Sequence, residues 1–278
     1  MRSLCVAAAL STLLVLAGCS DDAAEPASTT TAPAECEAGT PESLQVEVVR
    51  TIERGADSYT QGLVVYDGRL FESGGRYGES TIRERDLDSG EQLRRVDVDA
   101  DLFAEGLSAS GQGDLVQLTW KEGTALVWDP DTLEVVDELT YDGEGWGLTT
   151  LTDGTFVMSD GSDRLVERDA EDFTVLDEAE VQRADGDADD LNELEFDGES
   201  IWANRYQSDE LLRIDPECWT VDGVADLTEL REQAEGLAEA TGDDIDVTNG
   251  VAHIPGTDRF LVTGKWWPVM YEVRFSTS

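Results

Sequence analysis

From Leu44 onward, apolar residues come in short alternating runs broken by glycine-rich turns, and the pattern repeats. Gly62-Leu63-Val64-Val65, Gly106-Leu107-Ser108, Gly147-Leu148-Thr149, Leu194-Glu195-Phe196 and Gly250-Val251-Ala252 each open a similar unit, the first three openings falling 44 and 41 residues apart. A tight turn follows every opening: Asp67-Gly68, Gly111-Gln112-Gly113, Asp153-Gly154, Asp197-Gly198 and Pro255-Gly256. A second short strand comes next (Leu70 to Ser73, Leu115 to Thr119, Phe156 to Ser159, Ile201 to Asn204, Phe260 to Thr263). A third then often runs into an Asp-rich turn such as Asp129-Pro130-Asp131. Short strands with turn signals at this spacing predict an all-β fold, and a period of about 40 to 45 residues is that of a propeller blade. Five openings predict a five-bladed β-propeller.

The last unit ends at Phe275 with only three strands, while Leu44 to Ile52 is a spare alternating strand. Pairing this N-terminal strand with the final blade would close the ring and hide two edges. Before the last blade, Leu227 to Thr241 has helical spacing (Leu227, Leu230, Ala234, Leu237), with Gly242 where a helix would stop. A short helical insertion across one face of the ring is expected. Two packed sandwich domains are the rival all-β architecture, and they leave the period unexplained.

The first residues follow a different pattern. Met1-Arg2 precedes an apolar run from Leu4 to Leu16, too short for a permanent span, so residues 1–18 read as a secretory signal. The ending Leu16-Ala17-Gly18-Cys19 resembles the bacterial lipobox, which would leave Cys19 as a lipid-modified N-terminus; an ordinary signal with an incidental cysteine is the alternative. Residues 19–43, rich in Ala, Thr, Ser, Pro and acid, predict a flexible acidic tether, so the folded domain is 44–278. Export to the outside of the cell membrane on a lipid anchor is expected. Cys5 leaves with the signal and Cys19 is claimed by the lipid, leaving Cys36 and Cys218. In an exported chain that even remainder suggests a disulfide, with two free thiols as the alternative.

Charge narrows the partners. The formal charge is −43, from 62 acids against 19 lysines and arginines. Nucleic acid is excluded, since phosphate binding needs clustered cations. Anionic headgroups are equally unfavourable, so a membrane would be met only through the lipid. Such a chain is soluble and self-repelling, and a monomer is expected. Lysine is scarce: only Lys121 and Lys265.

In a propeller, the loops entering the innermost strands gather at one end of the channel. Here they are Tyr59-Thr60-Gln61, Phe103-Ala104-Glu105, Gly143-Glu144-Gly145-Trp146, Asp190-Leu191-Asn192-Glu193 and Asp246-Val247-Thr248-Asn249. The ends of second strands add Trp120-Lys121, Asn204-Arg205-Tyr206 and Gly264-Lys265-Trp266-Trp267. Glu105 stands out, wedged between an aromatic and Gly106, where the backbone can turn and aim the carboxylate inward. Amides, aromatic walls, one acid and one lysine suit a small polar ligand bearing an amide.

These stretches, together with Tyr59-Thr60-Gln61-Gly62-Leu63, Phe71-Glu72-Ser73-Gly74-Gly75, Gly145-Trp146-Gly147-Leu148, Leu191-Asn192-Glu193-Leu194-Glu195 and Val262-Thr263-Gly264-Lys265-Trp266, resemble the plant and bacterial glutaminyl-peptide cyclotransferases. The resemblance runs from about Leu44 to Phe275, in order and with similar spacing. It implies a five-bladed propeller that converts the N-terminal glutamine of peptides or proteins to pyroglutamate with loss of ammonia. Carried over position by position, it puts the essential acid on Glu105 and the essential lysine on Lys265. It puts the substrate pocket on Tyr59, Gln61, Phe103, Trp120, Trp146 and Asn192. A tryptophan of the plant enzymes falls on Tyr206, which keeps an aromatic wall and adds a hydroxyl.

The chemistry fits those residues. One carboxyl group can deprotonate the α-amine and then protonate the departing ammonia, while Lys265, Gln61 and Asn192 are candidate donors to the developing oxyanion. No cofactor is required for such a reaction. Family members can hold a calcium ion in the channel, so a structural calcium is an expectation without assigned ligands. The run Asp185-Gly186-Asp187-Ala188-Asp189 starts like a calcium loop but lacks Gly at the sixth position and Glu at the twelfth. The single histidine, His253, with no His/Cys cluster, argues against a zinc site. A non-catalytic propeller that grips peptide ends, or a calcium-dependent lactonase, are the competing functions; fold alone does not separate them.

Overall fold

The hairpin signals of the sequence become hairpins in the computed structural model, which describes residues 36–277. The signal segment, Cys19 and the tether up to residue 35 lie outside the described residues. The spare N-terminal strand is β1 (Glu42–Glu53). A four-stranded antiparallel meander follows: β2 (Thr60–Tyr66), β3 (Arg69–Gly74), β4 (Thr81–Arg85) and β5 (Gln92–Asp97). It recurs as β6 (Ala104–Ala109), β7 (Leu115–Thr119), β8 (Thr124–Trp128) and β9 (Val135–Thr140), then as β10 (Leu148–Thr150), β11 (Phe156–Ser159), β12 (Arg164–Arg168) and β13 (Val175–Glu180). The remaining strands are β14 (Leu191–Phe196), β15 (Ile201–Arg205), β16 (Glu210–Asp215) and β17 (Thr220–Asp226), then helix α1 (Thr228–Thr241), then β18 (Thr248–His253), β19 (Phe260–Gly264) and β20 (Val269–Thr277). They join β1 in one eight-stranded sheet, ordered β14-β15-β16-β17-β1-β20-β19-β18. The architecture is all-β and propeller-like.

The first strand of each meander packs on the first strand of the next: β2 on β6, β6 on β10, β10 on β14, β14 on β18, and β18 back on β2. This close approach explains the repeated glycine. A Cβ on Gly106 would lie 2.6 Å from the Leu148 nitrogen, and one on Gly147 only 2.0 Å from the Asn192 carbonyl oxygen. The fourth opening carries Glu193 where the others carry glycine. Its carboxylate is buried and accepts backbone N–H groups of Leu63 at 3.0 Å and Val251 at 2.9 Å, tying β14 to β2 and β18.

Closure uses two seams. β1 pairs antiparallel with β20 from Leu44 opposite Thr277 to Glu53 opposite Val269, as the spare strand implied. Its first residues also pair in parallel with β17 (Glu42 with Gly223, Leu44 with Ala225), which merges two meanders into one sheet. Cys36 and Cys218 are joined, Cα to Cα 5.3 Å, pinning the chain ahead of β1 to the β16–β17 turn. The bridge closes 182 residues of sequence separation. In the chain-entropy model that stabilises the fold by about 5 kcal/mol, so Cys218→Ala should lower Tm clearly. A thermal melt unchanged by that substitution would leave the bridge without a stabilising role.

Beneath the seam, Arg54 donates to Glu72 at 2.5 Å, to the Trp267 carbonyl at 3.0 Å and to the Gly264 carbonyl at 3.2 Å. Arg85 donates to the other Glu72 oxygen at 2.6 Å. Burial pushes the Glu72 carboxyl up, but the arginines around it outweigh that and hold it well below the usual range. The loop carrying Lys265 therefore rests on a buried, fully partnered ionic cluster. Helix α1 buries Leu230, Ala234 and Ala238, with Leu230 and Ala234 against Trp202, Val251 and Trp267, and stops at Gly242 in the left-handed conformation. Leu237, expected on the apolar stripe, is 45% exposed. The buried face runs through Ala238 instead.

Candidate active site

Glu105 lies at the start of β6, only 5% exposed. Two contacts fix it. Gln61 Nε2 donates to Glu105 Oε1 at 2.9 Å, and the N–H of Gly106 donates to the Trp146 carbonyl at 2.7 Å. Lys265 follows β19 and is 3% exposed, its backbone N–H bonded to Val247 O at 3.0 Å. Its ammonium sits between two rings, 4.7 Å from the Tyr59 centroid and 5.1 Å from that of Tyr206. Among the described residues Lys265 makes no direct ion pair, and it meets Glu105 and Asp246 through space. Burial raises the Glu105 carboxyl well above its ordinary value, Glu122 and Glu144 adding to the effect and Lys265 opposing it. Burial likewise lowers the Lys265 amine, against the pull of Glu105 and Asp246. A carboxylate made more basic thus interacts through space with an ammonium made more acidic.

The walls are aromatic. Phe103 meets Tyr59 edge-on at 6.4 Å, Tyr77 at 5.3 Å and Trp120 at 5.6 Å. Trp146 stands perpendicular to Tyr206 at 5.5 Å, and Trp266 packs on Tyr59 at 4.7 Å. The structure therefore gathers Tyr59, Gln61, Phe103, Glu105, Trp120, Trp146, Tyr206 and Lys265 through a continuous set of contacts.

The floor is amide. Asn192 is 1% exposed and its Oδ1 has no hydrogen-bond partner. Asn249 donates from Nδ2 to Thr60 O at 3.0 Å and to Gln61 Oε1 at 3.4 Å, leaving its Oδ1 unpartnered. Asn204 accepts from the Gly250 N–H at 2.9 Å and leaves its Nδ2 unpartnered. Buried polar atoms are rarely left so, and these three amides keep hydrogen-bonding capacity.

Gln61, expected among donors to an oxyanion, donates from Nε2 to Glu105. Asn204 and Asn249 went unassigned although they lay in stretches read as part of the mouth. Glu144 was likewise without a role, yet its Oε2 accepts the indole N–H of Trp120 at 2.7 Å and of Trp146 at 3.1 Å. The one signal for it was a lone acid between two glycines. His253 bonds the Thr257 carbonyl at 2.8 Å and packs on Phe260, as a strand residue.

Among the described residues no three His, Cys, Asp or Glu groups converge. Asp185, in the run resembling a calcium loop, is instead paired with Arg183 at 2.7 Å. No step below runs through a calcium ion.

Fold and site together define a propeller-like protein with one buried acid and one buried lysine in an aromatic, amide-floored mouth. A family model described as glutamine cyclotransferase matches residues 22–275. The glutaminyl-peptide cyclotransferase of Arabidopsis thaliana is 36% identical over 234 residues, spanning 83% of this chain and 71% of that one. The crystal structure of a glutaminyl cyclase from Myxococcus xanthus matches with a TM-score of 0.77 at 33% identity, over 86% of this chain and 99% of the other. The chain belongs to the glutamine cyclotransferase family.

Proposed function

We propose that this protein is a glutaminyl-peptide cyclotransferase, closing the N-terminal glutamine of peptides or proteins to pyroglutamate and releasing ammonia. The observation that carries the reading is the pair Glu105 and Lys265, both buried and not bonded to each other, at one aromatic mouth. A substrate α-ammonium, with a reference pKa of about 8, is drawn to the Glu105 carboxylate. The raised pKa of that carboxyl lets it take the proton. The freed amine attacks the side-chain carboxamide carbon, and the new C–N bond closes the five-membered ring. Negative charge growing on the carboxamide oxygen is met by the Lys265 ammonium and the Asn192 amide. The tetrahedral centre collapses by breaking its bond to the amide nitrogen, which takes back the proton held by Glu105, while the ring nitrogen gives up its second proton to the departing ammonia, so that the amide nitrogen leaves as ammonium. Trp120, Trp146, Phe103, Tyr59 and Tyr206 hold the glutamine side chain and exclude water.

No cofactor enters these steps. The ring is five-bladed in this reading, the eight-stranded sheet counting as two blades; the cyclic packing of β2, β6, β10, β14 and β18 supports that count. The protein works as an exported monomer, tethered through lipidated Cys19. The Cys36–Cys218 bridge supports an oxidising compartment. Incubation with Gln-Gly and Asn-Gly, followed by an ammonia assay, tests the activity. Release from Gln-Gly alone is expected; no release from either would overturn the reading.

A further inference from the structure

Glu144 is placed in the β9–β10 loop, two residues before Trp146, and stands apart from the reacting groups. One of its oxygens, Oε2, receives both indole N–H groups, Trp120 at 2.7 Å and Trp146 at 3.1 Å. The other, Oε1, faces Lys121 Nζ at 3.4 Å, and that ammonium lies 3.6 Å over the Trp120 ring. Trp120 follows β7 and Trp146 precedes β10, so a single carboxylate joins two pocket walls that belong to different sheets. The backbone follows the same link, the Gly145 N–H donating to the Trp120 carbonyl at 2.9 Å. An indole has one polar atom. An acceptor fixed at that point therefore selects one orientation of the ring about its side-chain torsions, and one acceptor shared by two indoles sets them relative to each other.

We propose that Glu144 is a positioning residue that braces Trp120 against Trp146 and so sets the slot receiving the substrate's glutamine side chain. The proposal rests on the cyclotransferase reading. Burial pushes the Glu144 carboxyl up, but the indole and Lys121 donors outweigh it and hold the group below its ordinary value. The brace is thus ionised wherever Glu105 can act as a base. A solvated surface acid is the bland alternative: the side chain is 40% exposed. Yet both oxygens are engaged, Oε2 by the two pocket indoles and Oε1 by Lys121.

Partial exposure means that Glu144→Ala should fold, which circular dichroism checks. It removes the acceptor, so KM for a Gln-initiated peptide should rise about tenfold, with a smaller loss in kcat. Glu144→Gln keeps a carbonyl oxygen able to accept both indoles, and it should bring KM back to within about threefold of the parent. Acrylamide quenching of tryptophan fluorescence should increase in the alanine variant and not in the glutamine one. Parent-like KM in Glu144→Ala, or equal impairment in both variants, would overturn the brace. A parent enzyme that releases no ammonia would instead sink the cyclotransferase reading. The quenching comparison would then still decide the brace, unchanged quenching in Glu144→Ala counting against it.

Discussion

Glu105→Gln should reduce kcat on Gln-initiated peptides by about 10²–10⁴, the span typical of a general acid–base group. The substitution keeps shape and keeps an oxygen for the Gln61 donor, but it can neither take the amine proton nor return one to ammonia. The same variant should be more stable. A carboxyl whose pKa is raised on folding contributes stability that is full below its ordinary value of 4.5 and is lost as pH rises through the folded value. Above that window the buried, ionised side chain costs stability, and glutamine removes the cost. The gain in Tm should therefore be present in mildly alkaline buffer and vanish near pH 4.5. A folded variant with activity within a few-fold of the parent would remove Glu105 from the mechanism. Lost activity with an unchanged alkaline Tm would contradict the buried-carboxylate argument.

Lys265→Met should cost about 10²–10³ in kcat, the usual loss when one oxyanion donor is removed. Methionine fills the space between Tyr59 and Tyr206, so the pocket keeps its walls. Lys265 is also the cation that opposes the rise of the Glu105 pKa. Without it the carboxyl should climb further, and the acid limb of the kcat–pH profile should move to higher pH. In the parent, the Lys265 amine is lowered from 10.5, so activity should also decline on the alkaline side earlier than an exposed lysine would give. Steady-state kinetics across pH test both points together. A methionine variant with parent kcat and an unshifted acid limb would mean that the ammonium does not face the reacting group.

Much of this was readable before any coordinates. The inner strands carry their own punctuation, because neighbouring backbones approach too closely at Gly106 and Gly147 for any side chain. The outer strands were harder. β9 (Val-Val-Asp-Glu-Leu-Thr) and β13 (Val-Leu-Asp-Glu-Ala-Glu) are exposed along nearly their whole length, so no buried face imposes an alternation. The parallel seam of β1 with β17 spans Glu42 to Leu44, too short to leave a pattern. At the site, an acid before a glycine and one of only two lysines drew notice to Glu105 and Lys265, but their expected roles came from the family resemblance. Gln61 looks the same in sequence whether its amide faces a substrate or a carboxylate, and only the 2.9 Å bond to Glu105 separates the two. Glu144 was hidden by abundance: among 62 acids, one more attracts no notice until two indoles converge on it.

The central claim is that one buried carboxyl group carries both proton transfers. It is tested most directly by kcat/KM as a function of pH for the parent and for the residual activity of Glu105→Gln, since kcat/KM reports groups in the free enzyme. The parent should show an acid limb with a midpoint well above 4.5, and that limb should be absent from the variant. A parent profile with its midpoint near 4.5, or the same raised limb persisting in Glu105→Gln, would contradict the account.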